Sequence, residues 1–159
     1  MRPSILLLVI GLSTISSAAA PPKICVADLA NSSMQPVFTD RIKQAIVDAL
    51  QEGPTNVQSA FTATMLADHL ALSANNKTVF KREKCQFMLL AEVQKTNSQA
   101  AQNAAAEPTK DLTITFALFK GHKSPAPVLQ KQLPMSEAQD TTATGKQIAT
   151  LVIEFLRDH

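Results

Sequence analysis

Two segments constrain most strongly what this chain can fold into. Residues 86–95 (QFMLLAEVQK) open with an unbroken apolar run and then alternate, while residues 111–120 (DLTITFALFK) alternate throughout, with Leu112, Ile114, Phe116 and Leu118 on one face. An unbroken apolar run suits a strand covered on both sides, and alternation suits a strand with one face on a core. Together they read as an antiparallel hairpin at the centre of a sheet. The far end of the first strand, with Glu92, is expected to emerge into solvent. Residues 97–110, between the two strands, are rich in Ala, Asn and Gln and include Pro108. That is the composition of a solvated, mobile connection.

Upstream, residues 23–29 (KICVADL) carry the β-formers Ile24 and Val26 and end at the turn-prone Asn31-Ser32-Ser33, which predicts a first, largely buried strand. Phe38, Ile42, Ala45, Ile46, Ala49 and Leu50 then recur at helical spacing, with Asp40 in the first turn and Gly53-Pro54 as stop signals. Residues 57–61 read as a second strand and 64–74 as a ragged helix. Asn75-Asn76 is expected to break that helix, with 78–84 a further short helical turn. After the hairpin, residues 121–127 form a turn, 128–133 an edge strand closed by Pro134, and 141–157 a final helix. The buried stripe of that helix is Ile148, Leu151, Val152, Phe155 and Leu156. This order predicts an α/β (α+β-like) fold: a single mixed parallel/antiparallel sheet of about five strands with helices packed on it. No internal repeat is visible.

Residues 1–20 read as a signal peptide. Arg2 is the basic start, residues 5–12 an apolar run with one glycine, and residues 16–20 a small-residue exit. Cleavage after Ala18, Ala19 or Ala20 is compatible with Pro21 following. The apolar run falls short of the roughly 20 residues a membrane span needs, so no stable membrane insertion is expected after cleavage. Cys25 follows Pro-Pro-Lys-Ile, without the small residue that lipid attachment wants. Residues 21–159 then form a single domain, long enough to bury a core, in a periplasmic or secreted location. The chain of 159 residues has a net charge of +2, and Arg2 leaves with the signal. A balance this even, without charge blocks, offers no attraction to nucleic acid or anionic lipid. The absence of Trp and Tyr also removes the usual base-stacking platform. Cys25 and Cys85, an even pair in an oxidising compartment, favour a disulfide over two buried thiols. Closing a loop of about 60 residues is worth roughly 4 kcal/mol at the upper end.

The KICVADLANSS opening, the DRIKQAIVDAL helix and the KCQFMLLAEV strand resemble the α/β domain shared by the curli-secretion CsgG-like proteins and the N-terminal domain of TolB. In that family the first strand ends in a phrase like Asn-x-Ser, a helix follows, and a small or Cys-Asp pair introduces the strand beside the first. The resemblance spans about residues 23–157. It implies a bacterial envelope setting and carries no catalytic residues. If the strands after Cys25 and Cys85 are parallel neighbours as in the family, the two sulfurs fall at the same end of the sheet. The chain departs from the secretion channels in lacking a lipidated cysteine and the long membrane-crossing hairpins: residues 98–110 have no alternating apolar segments of barrel length. TolB-type propeller repeats are also missing.

Candidate chemistry is sparse. Asp28, Asn31 and Glu92 would line a cleft at the carboxyl ends of the strands, where open α/β sheets bind ligands; the plainer reading is a turn-forming Asp and a solvated strand Glu. His69, His122 and His159 share no metal-ligand spacing. There is no Gly-rich phosphate loop and no G-x-S-x-G, so no metal, cofactor or catalytic residue is expected. Two N-x-[ST] triplets, at Asn31 and Asn76, have no meaning in a bacterial envelope. The leading function is an exported, non-enzymatic envelope domain that binds another envelope protein, with strand 128–133 as its augmentation edge. A small-ligand module is the alternative, and a hydrolase ranks third. A deep carboxylate-lined pocket would favour a ligand, an exposed apolar surface a protein partner.

Overall fold

The computed structural model describes residues 20–59, 72–95, 112–124, 126–135 and 140–159. The elements are β1 (Lys23–Val26), β2 (Ala30–Asn31), α1 (Thr39–Gln51), β3 (Asn56–Ser59), α2 (Ala74–Arg82), β4 (Phe87–Lys95), β5 (Leu112–Lys120), β6 (Leu129–Met135) and α3 (Thr141–Asp158). All but the last residue of the signal peptide expected at residues 1–20, most of the helix expected at 64–74 and the connection expected at 97–110 lie outside the described residues.

β4 and β5 pair antiparallel over their full length, from Phe87↔Lys120 to Lys95↔Leu112. β1 lies parallel to β4 on one side and to β3 on the other, and β6 is antiparallel to β5 at the outer edge. The strand order is β3-β1-β4-β5-β6, with β2 also on β4. This is the mixed sheet expected, with the parallel β1–β4 pair that the family resemblance implied.

Strand side chains alternate between faces, and here both faces are covered. On one, Ile24, Val26, Leu89, Val93, Ile114, Phe116 and Leu118 pack against Ile42, Ile46 and Leu50 of α1 and Ile148 and Val152 of α3. On the other, Cys25, Met88, Leu90, Ala117 and Phe119 meet Val79 and Phe80 of α2. The alternation in β5 therefore marks a change of chemistry between two buried faces, with Thr113 and Thr115 also buried.

α1 and α3 run in the same direction at close range. A Cβ built on Gly145 would lie 2.6 Å from the Ala45 Cβ and 2.8 Å from the Ile42 carbonyl oxygen. Glycine is about 1 kcal/mol worse than alanine in a helix interior, and here that cost permits the contact.

Three expectations are corrected. The first strand stops at Val26; the chain leaves the ladder at Ala27, whose N–H still donates to Leu89 O at 3.0 Å, and rejoins it as β2. Asn75 and Asn76 do not break a helix but form the first turn of α2. Ser73 is the N-cap: its Oγ accepts from the Asn76 N–H at 3.1 Å and its hydroxyl donates to the Asn76 side-chain carbonyl, which satisfies donors that a helix start leaves orphaned. Pro134 sits inside β6 instead of closing it. It opposes Thr113 on an edge strand, where a missing N–H is tolerated.

The Cys25–Cys85 disulfide is formed, with the Cα atoms 5.8 Å apart, within the normal range. The end of α2 delivers Cys85 to it. Lys84 has φ +53, and the Lys84 and Cys85 N–H groups donate to the Lys81 and Phe80 carbonyls, the double bond of a left-handed helix stop. Lys23 then ties this corner to β1: its Nζ donates to Glu83 O at 2.6 Å, and its carbonyl accepts from Gln86 N at 2.9 Å.

Candidate functional site

Asp28, Asn31 and Glu92 do not converge. Asp28 lies in the interruption between β1 and β2, and Lys43 of α1 donates to its Oδ1 at 2.5 Å. Asn31 turns into its own loop. Its Oδ1 accepts from the Ser33 N–H at 3.1 Å and hydroxyl at 2.6 Å, and its Nδ2 donates to Gln35 O at 2.9 Å. Glu92 alternates with Met88 and Leu90 and so faces the α2 side, away from α1.

Glu92 is also not the solvated residue expected. It is 0 % exposed, flanked in register by Ala30 of β2 and Thr115 of β5. Neither carboxylate oxygen has a hydrogen-bond partner among the described residues. From Leu90 outward, this face turns from apolar to polar: Thr115 Oγ1 donates to Gln94 Oε1 at 3.4 Å, and Gln132 Nε2 donates to Thr113 Oγ1 at 3.0 Å. An unpaired buried carboxylate costs several kcal/mol if ionised, so this position is suited to a donor or a cation. The threonine row was missed because T-x-T-x-A-x-F reads as a solvent face that becomes apolar, and periodicity does not report what covers it.

The loop after β2, at the end of the sheet where the carboxyl ends of β2 and β4 lie, presents a second feature. Ser32 N–H donates to Val93 O at 2.9 Å, and Gln35 N–H to Ser33 Oγ at 3.2 Å. These bonds, with those of Asn31, bracket Met34, which has φ +61 and is 99 % exposed. Phe38, at the N-cap of α1, is 56 % exposed. The Arg41 guanidinium sits 4.7 Å above its ring. The sequence marks this stretch as a turn but gives no sign that its methionine stands free.

At the opposite end of the sheet, where β1 and β4 begin, Phe87, Val128, Phe155 and Leu156 line a cleft of about 470 Å³ with Lys120 and His159. His159 stacks on Phe155 at 4.4 Å, and the Lys120 ammonium lies 6.0 Å from the centre of the Phe87 ring. Among the described residues, no three His, Cys, Asp or Glu side chains gather as a metal site, and no helix is long and apolar enough to cross a membrane.

No protein-family model matches the chain, and no curated protein sequence matches it. Solved structures do. The PelC dodecamer from Paraburkholderia phytofirmans aligns with a TM-score of 0.51 at 16% identity, over 86% of this chain and 88% of that one. A single-residue variant of that dodecamer aligns with a TM-score of 0.50 at 15% identity, over 85% of this chain and 89% of the variant. TolB from Acinetobacter baumannii aligns with a TM-score of 0.52 at 11% identity, over 86% of this chain and 28% of TolB. The fold is thus shared with PelC and with a part of TolB, as the TolB resemblance implied; a CsgG-like relation is not among these likenesses.

Proposed function

We propose that this chain is an exported bacterial envelope domain that works by binding protein, without catalysis, through the Met34 loop. Met34 is the observation that carries this reading. A left-handed backbone costs a side-chain-bearing residue roughly 1–2 kcal/mol, and a fully exposed methionine recovers nothing through burial. The surrounding loop is hydrogen-bonded firmly enough to hold that conformation, so the thioether is presented in a fixed place. Pre-organised apolar anchors of this kind supply affinity at protein interfaces, because little ordering is left to do on binding. The signal-like leader, the disulfide and the TolB-type fold support an extracytoplasmic setting.

A photo-crosslinking amino acid at position 34, in cells exporting the protein, tests the reading. A discrete protein adduct is expected from position 34 and not from exposed Gln130 on β6. No adduct at position 34 would count against it.

Glu92 favours a second reading, a small-ligand module. A cationic or donor-rich small molecule would satisfy its two oxygens, which have no partner among the described residues. Native mass spectrometry of protein purified from the envelope would then find a small-mass adduct that is lost in Glu92→Gln. Bare protein in both samples speaks against this reading.

A further inference from the structure

We infer that the flank of α2 formed by Lys77, Lys81 and Lys84, with Lys123 beside it, docks on an anionic phospholipid surface. This goes beyond the Met34 loop. Lys84 and Lys123 lie where β4 begins and β5 ends, and the loop lies where β4 nears its own end, so a lipid partner and a protein partner occupy different surfaces.

The charge of the chain is even in sequence and uneven in space. α1 carries two acidic and two basic side chains, and α3 does the same. Residues 74–84, on the other face of the sheet, carry four basic side chains against one acidic, Glu83, whose Oε1 accepts from Arg82 Nε at 2.7 Å. Lys77, Lys81 and Lys84 are exposed and make no ion pair among the described residues. The cationic excess of the three helices therefore sits on one side of the molecule, which the overall balance conceals.

These lysines share a flank. Residues three and four apart on a helix are neighbours, which puts Lys77 beside both Phe80 and Lys81. Lys84 follows at the helix stop, with its N–H on the Lys81 carbonyl at 3.2 Å. The buried Phe80 ring meets His122 edge-on, with centroids 6.5 Å apart, and Gly121 N–H donates to Gln86 O at 3.0 Å. Those contacts fix the turn after β5 on the same flank, where the exposed Lys123 extends the row.

The spread of the cations selects the partner. Lys77 to Lys84 spans about 10 Å at 1.5 Å per residue. The buried polar side chain of α2, Asn76, turns inward to Ser73 and the Met88 sulfur, so among the described residues no buried donor joins the lysines at one point, as a pocket for a single phosphate needs. A nucleic-acid strand wants aromatic platforms, whereas the chain has no Trp or Tyr and Phe80 is buried. The charge of a phospholipid leaflet is itself dispersed over a plane, and each lysine near it adds an increment that fades within a Debye length. The envelope setting proposed above puts such a leaflet within reach.

Co-sedimentation of the oxidised protein, recovered from exporting cells, with lipid vesicles tests this. Binding is expected to vesicles of phosphatidylcholine mixed with phosphatidylglycerol and not to phosphatidylcholine alone. It should be lost as salt shortens the screening length from about 10 Å at 0.1 M to about 3 Å at 1 M. Lys77→Gln, Lys81→Gln and Lys123→Gln should each weaken binding about fivefold, with circular dichroism confirming the fold. Lys146→Gln removes the same charge from α3, on the other side, and should bind like wild type, as should Met34→Asp. A wild type that ignores the mixed vesicles overturns the inference. So does a Lys146→Gln protein as weak as Lys81→Gln, because net charge alone would then account for the binding. Loss of binding in Met34→Asp would put the membrane contact at the loop and overturn the assignment to α2. Binding to soluble polyglutamate in preference to the vesicles overturns the lipid assignment in favour of an acidic polypeptide. None of these results depends on the adduct formed from position 34, so failure here and failure of the protein-binding reading are told apart.

Discussion

Met34 and Glu92 each hold a side chain where ordinary folding chemistry would place something else. Asn adopts the left-handed region more readily than Met, so Met34→Asn is expected to stabilise the isolated chain by about 0.5–1 kcal/mol, read as a rise in melting temperature, while abolishing association through the loop. A fall in melting temperature would mean that Met34 makes contacts its exposure does not suggest. Replacing the buried Glu92 carboxylate with an apolar side chain of similar length removes a group whose oxygens have no partner among the described residues. Glu92→Met should therefore raise stability by about 1–3 kcal/mol in denaturant melts. Destabilisation would show that the carboxylate has a donor. Neither residue's condition was legible in the sequence. Glu92 is polar in an alternating stretch, which fits solvent, and its burial depends on β2 returning to lie beside β4. Met34 follows two serines in a turn, and nothing local reports a positive φ at a residue with a side chain.

At the scale of elements, helix identity followed from periodicity and helix boundaries from capping. The stripes of α1 and α3 were legible because each buries one face against the same sheet. α2 was misplaced because an Asn pair resembles a breaker unless Ser73 is recognised as its cap; a side chain that competes with the backbone in mid-helix satisfies it at the first turn. Gly145 tests how α1 and α3 pack. Alanine there gains helix propensity, yet its Cβ would press on Ala45 and on the Ile42 carbonyl. Gly145→Ala should therefore destabilise by about 1–3 kcal/mol in equilibrium unfolding, and stabilisation would mean that the helices separate easily. Lys84 offers the opposite case. Its φ of +53 is an ordinary helix stop that glycine performs without a steric penalty, so Lys84→Gly should be neutral or stabilising by up to about 1 kcal/mol.

Across the whole molecule, the mixed sheet and the antiparallel hairpin were legible because β4 and β5 carry long, patterned stretches. The parallel placement of β1 against β4 came from family resemblance, since strand order is set by long-range contacts that local pattern does not encode. The disulfide joins those two levels: it links β1 to the turn before β4 over a sequence separation of 60 residues. Opening such a loop releases chain entropy in the unfolded state. Cys25→Ser and Cys85→Ser should each lose about 2–4 kcal/mol, and the double variant little more than either, because both remove the same bridge. Strictly additive losses would contradict a shared bond.

That the chain works outside the cytoplasm as a bridged domain is tested most directly by the intact mass of the protein recovered from exporting cells, alkylated under denaturing conditions with and without prior reduction. The expected result is a chain beginning at residue 19, 20 or 21 that takes up two alkyl groups only after reduction. A full-length chain with two thiols reactive before reduction would contradict it, and the envelope function would fall with it.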